Sequence, residues 1–556
     1  MKSLHLILSV LLFFCFSLKA EDQFRERVFV HTDKDCYIAG EDILLKFYVV
    51  DNRFQPSNLS KVGYVEICNT EKPLMQLKVA LKNGGGAGKL SIPPDIPSGI
   101  YQLSAYSRYM RNEGENVFFK KQIAIVNAVQ ETPDPNRYEL VEKQQISYPD
   151  KTERLNLSVK TDQKEYGNRQ KVILSIDGIP DNTADLIVSV SRNDSIAFVP
   201  EVNKPEWLKQ VSDTFHFSGQ WLPEYEGHII TGRFVPEPKE ELLAGIAVVG
   251  GDIRFRYGQV NNQDKTINCY TAGIFGKQQI VTSAMSPFFD RTPYRLDLLT
   301  PFCEYLPGNL PVMQIHLNEK QITDRYVGVQ IHKKIDNEVT GNFVQTFNAC
   351  TFQPALSYDL DEYTRFSTIS ETILEFINKV RVIKVGDKRR ISVFLTEQLR
   401  YSPRVLVLLD GVPIYDHEDI LNYNPMYIKR INVYDKRYLF GGNDYESIVS
   451  FITREGNLPF FQLSSESQLL NYDFPQPTPV FLSSDYSADM AKNSRKPDFR
   501  HTLYWNPFVE CSKAKNINLS FYTSDLCGAF KVIVEGITSD GKMIKGVSYF
   551  QVPESH

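Results

Sequence analysis

Residues able to do chemistry are scattered thinly along this 556-residue chain. His417-Glu418 opens the His-Glu-x-x-His pattern that sets two imidazoles and a general base on one helix face, but Leu421 stands where the second imidazole belongs. Gly84-Gly85-Gly86-Ala87-Gly88-Lys89 has the look of a phosphate-cradling loop. Asn83 replaces its first glycine, Leu90 replaces the hydroxyl that would meet magnesium, and the run lies between two strands, so a glycine-rich hairpin is expected. Asp410 precedes Gly411, and a tight hairpin asks for that dipeptide on backbone grounds alone. His31 and Asp33 read as strand-end residues rather than metal ligands. Tyr504 and Trp505 could form a recognition surface, although aromatics in a strand more often pack cores and edges. The sequence holds no Gly-x-Ser-x-Gly elbow and no Cys-x-x-Cys pair. The expectation is therefore a protein that is not an enzyme, with no catalytic, cofactor-binding or metal-ligating residue and no cofactor.

The elements that hold these residues are mostly strands. From Arg27 to Asn127, short apolar runs (VFVHTDK, Ile43 to Val50, Val62 to Cys68, Leu74 to Leu81, Tyr101 to Tyr106) alternate with turn signals, as in a β-sandwich. Three prolines among polar residues make 128–150 a linker. Leu155 to Val159, Lys171 to Ile176 and Leu186 to Arg192 announce a second sandwich over 151–226, and 227–317 reads as a third all-β unit. After an irregular connector over 318–360, Thr368 and Glu371 form a capping box ahead of Ile373, Leu374 and Ile377. PRVLVLLDGVPIYD then gives a buried strand and hairpin, and Asn424-Pro425 precedes IKRINVYD, so 361–457 is an α+β domain. A connector over 458–496, with Pro475, Gln476 and Pro477, leads to a last β segment over 497–556.

Several of these runs carry resemblances. VFVHTDKDCYIAGEDILLKFYVV, LSKVGYVEI and DIPSGIYQLSAYSRYMRNEGE resemble the second domain of bacterial alpha-macroglobulins. The 151–226 unit resembles the next macroglobulin domain, and PDFRHTLYWNPFVE, NINLSFYTSD and GAFKVIVEGITSDGK resemble a later one. GHIITGRFVPEPKEELLAGIAVV is similar to the carboxypeptidase regulatory-like immunoglobulin fold. LVLLDGVPIYD followed by NPMYIKRINVYDKRYLFGGNDYESIVSFITREGN resembles the plug domain of TonB-dependent outer-membrane receptors. The implied fold class is mainly β, with several immunoglobulin/macroglobulin-like β-sandwiches in tandem plus one α+β plug-like domain. The thioester segment Cys-Gly-Glu-Gln by which some macroglobulins trap proteases does not occur. About 100 residues follow Asn457, against about 22 strands of about 10 residues in a large transporter, so no barrel is expected.

Lys2, the apolar run Leu4 to Phe16 and Ala20 form a signal peptide over 1–20, and Phe13-Phe14 beside Cys15 does not suit a lipobox. No later stretch reaches the ~18 apolar residues of a membrane helix. With 62 basic and 67 acidic residues, the charge balance points away from nucleic acid. Removal of Cys15 leaves an odd number of cysteines, which is not a disulfide framework, though Cys36 with Cys68 or Cys511 with Cys527 could pair. The functional expectation is a non-catalytic exported scaffold of the periplasm or outer membrane. Its partner would be an envelope protein, an outer-membrane barrel among the candidates. The alternatives are a remnant macroglobulin-type inhibitor and an accessory of a TonB-dependent uptake system.

Overall fold

A computed structural model describes residues 24–129, 138–141, 155–193, 196, 217–261, 264–286, 292–316, 322–331, 353–440, 443–481, 483–488, 494–511, 515–540 and 542–554. The signal peptide expected over 1–20 lies outside these residues, as do most of the 128–150 linker and 332–352 of the 318–360 connector. The protein is mainly β, a tandem of sandwiches with one α+β unit.

In the first sandwich the sheet Glu26–Thr32, Asp42–Asp51, Gly85–Ser91 faces a five-stranded sheet ordered Cys36–Ile38, Phe119–Val126, Gly99–Ser107, Val62–Cys68, Pro73–Ala80. Phe47, Tyr64, Ile67 and Leu103 lie in its core. Alternation predicts that every second residue of a strand meets water. Glu26–Thr32 is instead buried at all seven positions, because other parts of the chain cover its second face. The glycine run is a hairpin: Asn83 and Gly84 have φ of 52° and 72°, and Lys82 and Gly85 exchange backbone hydrogen bonds of 2.7 and 3.0 Å. Gly88 follows for a packing reason, since a Cβ there would lie 2.8 Å from the Val79 side chain.

The second sandwich corrects the expected boundaries. Residues 151–226 and 497–556, expected from the sequence to be separate units, share their sheets. One sheet runs Leu155–Asn156, Met543–Val552, Gly528–Thr538, Thr183–Arg192, Thr502–Glu510; the other runs Ser158–Thr161, Lys171–Asp177, Asn516–Tyr522. Neither piece has strands enough to bury its own apolar face. Together they enclose Leu174, Val188, Phe521, Phe530, Val534 and Phe550.

A similar correction applies to 458–496. Ser467–Asp473 is a strand, not a connector, and it pairs antiparallel with Lys277–Met285 of the third sandwich. Its neighbour Gln476 closes the first sandwich. The Gln476 backbone pairs with Lys78 and Ala80 at one sheet edge, while its amide accepts from Lys89 N (2.7 Å) and donates to Lys89 O (3.1 Å) at the other. The expected connector over 318–360 likewise contributes Leu356–Asp359 to the α+β sheet, beside Ile428–Tyr434, and a helix over 322–331.

The α+β unit has the expected helix Ile369–Phe376, with Thr368 Oγ1 accepting from Glu371 N at 3.1 Å. Val405–Leu409, buried throughout, pairs parallel with Ser447–Thr453, as a continuous apolar run requires. No disulfide joins Cys36 to Cys68 or Cys511 to Cys527. Among the described residues no helix is long and apolar enough to cross a membrane, which says nothing of a β-barrel.

Candidate functional site

An open cleft of about 750 Å³ lies where the first, second and third sandwiches and the helix 322–331 meet. Its size falls within the range of ligand sites. It forms because the chain after Glu26–Thr32 turns sharply, and that turn is held by Asp33. Asp33 Oδ1 accepts from Tyr37 OH (2.9 Å) and Leu44 N (3.1 Å), while Oδ2 accepts from Thr502 of the second sandwich at 2.8 Å. Burial, then the Asp33 carboxylate, pushes the Tyr37 phenol well above its ordinary pKa, so Tyr37 stays a donor. Asp33 is thus the strand-end residue expected, and it also bolts two sandwiches together.

The turn occurs twice. Thr32-Asp33 with Tyr37 and Leu44 matches Thr161-Asp162 with Tyr166 and Ile173. In the second copy Tyr166 OH donates to Asp162 Oδ1 (2.7 Å), Ile173 N donates to the same oxygen (2.8 Å), and Thr161 Oγ1 donates to Gln163 O (2.7 Å). Thr32 Oγ1 reaches Lys34 O at 2.7 Å in the same way. The signal Thr-Asp-x-x-x-Tyr is visible in the sequence at both places. Only the first copy is buried against a neighbouring sandwich.

Behind the cleft, Glu41 receives a bidentate pair from Arg325, both bonds 2.7 Å, plus Lys34 at 3.2 Å and the Ile38 backbone N–H at 3.1 Å. Burial alone would raise the Glu41 pKa; Arg325, then Lys34, outweighs it and holds the carboxyl well below the usual range. Arg325 is fully buried. Sequence reasoning missed it, since a lone arginine after a loop carries no signal of its distant partner.

Of the four residues that the sequence singles out in strands, Asp33, Tyr504 and Trp505 line the cleft, and His31 packs on Trp505. His31 stacks on Trp505 at 5.8 Å between ring centroids and meets Glu535 through Nδ1 at 2.6 Å. Phe481 contacts Trp505 edge-on at 6.0 Å. Trp505 lines the cleft, and its buried indole N–H meets no acceptor among the described residues. Tyr504 also lines the cleft, while its ring packs on the core residue Phe521 at 5.6 Å. Two of the rim cations are paired, Lys89 with Asp42 (2.7 Å) and Arg500 with Asp498 (2.7 Å), while Lys277 at the rim is exposed. Apolar rings under a largely paired rim suit an extended backbone better than an isolated ion. One wall, Gln476 to Phe481, is extended connector, and another begins the edge strand Thr502–Glu510.

The other candidates lie elsewhere. His417 sits in the short helix His417–Leu421, its Nδ1 accepting from Ile391 N at 3.0 Å, and Glu418 pairs with Arg389 at 2.6 Å. Among the described residues no group of three His, Cys, Asp or Glu could hold a metal. Asp410 and Gly411 have φ of 45° and 77°, the expected tight hairpin, but the carboxylate has a second task. It is fully buried and accepts from Thr453 N (2.7 Å), Thr453 Oγ1 (2.6 Å) and Leu458 N (2.9 Å).

No family model matches the chain, and no curated protein matches it. Among solved structures, trypsin-activated alpha-2-macroglobulin from Escherichia coli is 9% identical, with 95% of this chain covering 41% of that one at a TM-score of 0.24. Salmonella alpha-2-macroglobulin reacted with methylamine is 10% identical over 95% of this chain and 39% of its own, again at 0.24. The Yersinia pseudotuberculosis adhesin InvE is 9% identical over 49% and 58%, at 0.14. The chain spans less than half the length of these macroglobulins. Superpositions this loose do not establish a common fold.

Proposed function

We propose that this protein is a non-catalytic, exported binding protein of the cell envelope whose central cleft holds an extended segment of a protein partner. The observation that carries the reading is the aromatic cleft at the sandwich junction. It opens beside an edge strand, has the Trp505 ring in its wall, and is braced by the Asp33 and Glu41 networks. A rigid, preformed groove beside an edge strand favours main-chain pairing with a bound segment. Export rests on the Lys2, Leu4 to Phe16 and Ala20 pattern, and outer-membrane association on the resemblance of 361–457 to receptor plugs.

The test places a photoreactive side chain at Val480, which is 60% exposed in the cleft wall, and a control at Leu374, 81% exposed on the α+β unit. The expected result is one envelope protein cross-linked from position 480, lost on Trp505→Ala, and none from 374. Equal labelling from both positions, or turnover in a hydrolase panel, would overturn the reading. Inhibition of proteases by the purified protein would favour the inhibitor alternative.

A further inference from the structure

The hairpin of Val380–Val385 and Lys388–Leu395 concentrates positive charge at an open sheet edge. Its sheet runs Val380–Val385, Lys388–Leu395, Arg400–Ser402, so Val380–Val385 is an edge strand. Gly386, with φ of 61°, opens the two-residue turn. Register pairs Arg381 with Ser392, Ile383 with Arg390 and Val385 with Lys388, which puts Arg381, Lys388 and Arg390 on one face. On the other face Lys384 lies directly opposite Arg389, a like-charge pair that costs stability unless an anion intervenes.

The acids of this unit answer only part of that charge. Lys388 meets Asp416 at 2.8 Å, Arg389 meets Glu418 at 2.6 Å and Lys379 meets Asp435 at 2.8 Å. Arg381 lies over the Tyr401 ring at 3.7 Å. Among the described residues Arg381, Lys384 and Arg390 have no carboxylate within ion-pair distance, and all three are exposed. Cations on an edge strand guard against pairing with a second copy. The same cations select a strand of opposite sign. Lys379 O accepts from Phe394 N, and the alternation from that bond turns the Val382 and Lys384 N–H groups outward.

We propose that Val380–Val385 is a docking edge for an acidic extended protein segment. Such a segment would add as a fourth strand, with carboxylates at alternate positions facing Arg381 and Arg390. This surface is separate from the cleft and does not depend on it.

The test uses the full chain and three fluorescent or competing probes: an eight-residue peptide alternating Val and Glu, the same peptide N-methylated at alternate backbone nitrogens, and inorganic polyphosphate. The unmodified peptide should bind. Its Kd should rise at least tenfold on Arg381→Glu with Arg390→Glu, which touches only exposed side chains, and likewise on Val382→Pro. The N-methylated peptide should bind at least tenfold more weakly. Equal binding of the methylated peptide, displacement by polyphosphate at equal charge, indifference to the charge reversal, or no peptide binding at low salt would each overturn the proposal.

Discussion

Asp410 shows what a residue's own neighbourhood reveals and what it hides. The Asp-Gly pair is legible as a turn because its backbone demand is local. The three bonds its carboxylate accepts come from residues 43 and 48 positions away, where no local pattern points. Asp410→Asn keeps a residue that tolerates positive φ but turns one oxygen into a donor facing a backbone N–H. We expect a loss of about 1–3 kcal/mol, read as a lower urea midpoint. An unchanged midpoint would mean that the turn alone explains the residue. His228 makes a second prediction. It is buried between Glu224 (2.9 Å), Tyr64 (3.2 Å) and Tyr472 (2.7 Å), and burial, then Lys78, lowers its pKa from 6.5 to about 4. The unfolded chain takes up this proton first. Its contribution is therefore intact above about pH 6.5 and lost as pH falls towards 4, on the order of 3 kcal/mol at the acid end. Urea midpoints at pH 7.5 and 4.5 should converge in His228→Gln relative to the parent; parallel curves would refute this.

At the scale of elements, local pattern served well where an element is self-contained. The Thr368 cap, the buried Val405–Leu409 strand and the glycine hairpin follow from spacing and turn chemistry. It served poorly where an element is completed by a distant one. Ser467–Asp473 lacks a face of its own to bury, and its burial comes from Lys277–Met285. The helix 322–331 is anchored through the Arg325 pair with Glu41. Removing Arg325 strips the buried Glu41 carboxylate of its bidentate partner and leaves it only one paired cation, Lys34 at 3.2 Å, so Arg325→Met should destabilise by about 3 kcal/mol. Glu41→Leu combined with Arg325→Met should recover much of that loss. A double variant as unstable as the sum of the two singles would contradict the coupling.

For the whole molecule, the second sandwich is the main lesson. Its strands lie far apart in the chain, Ser175 bonding Asn518 at a sequence separation of 343. Fold class was legible because each strand has its own period and turn signals, whereas chain topology was not, because strand pairing over such distances leaves no mark on either strand. A chain ending at residue 496 should expose Leu174, Val188 and Val190, bind a hydrophobic dye and lose 155–193 to limited proteolysis. Protease resistance of that segment would show that it folds alone. The cleft depends on the same assembly, since one wall comes from the C-terminal half. The most direct measurement is hydrogen exchange of the full protein with and without its cross-linked partner, followed by the intact mass of the partner segment. Binding without chemistry predicts protection confined to 476–481 and 499–505 and a segment of unaltered mass. A cleaved or modified segment, or protection lying elsewhere, would contradict it.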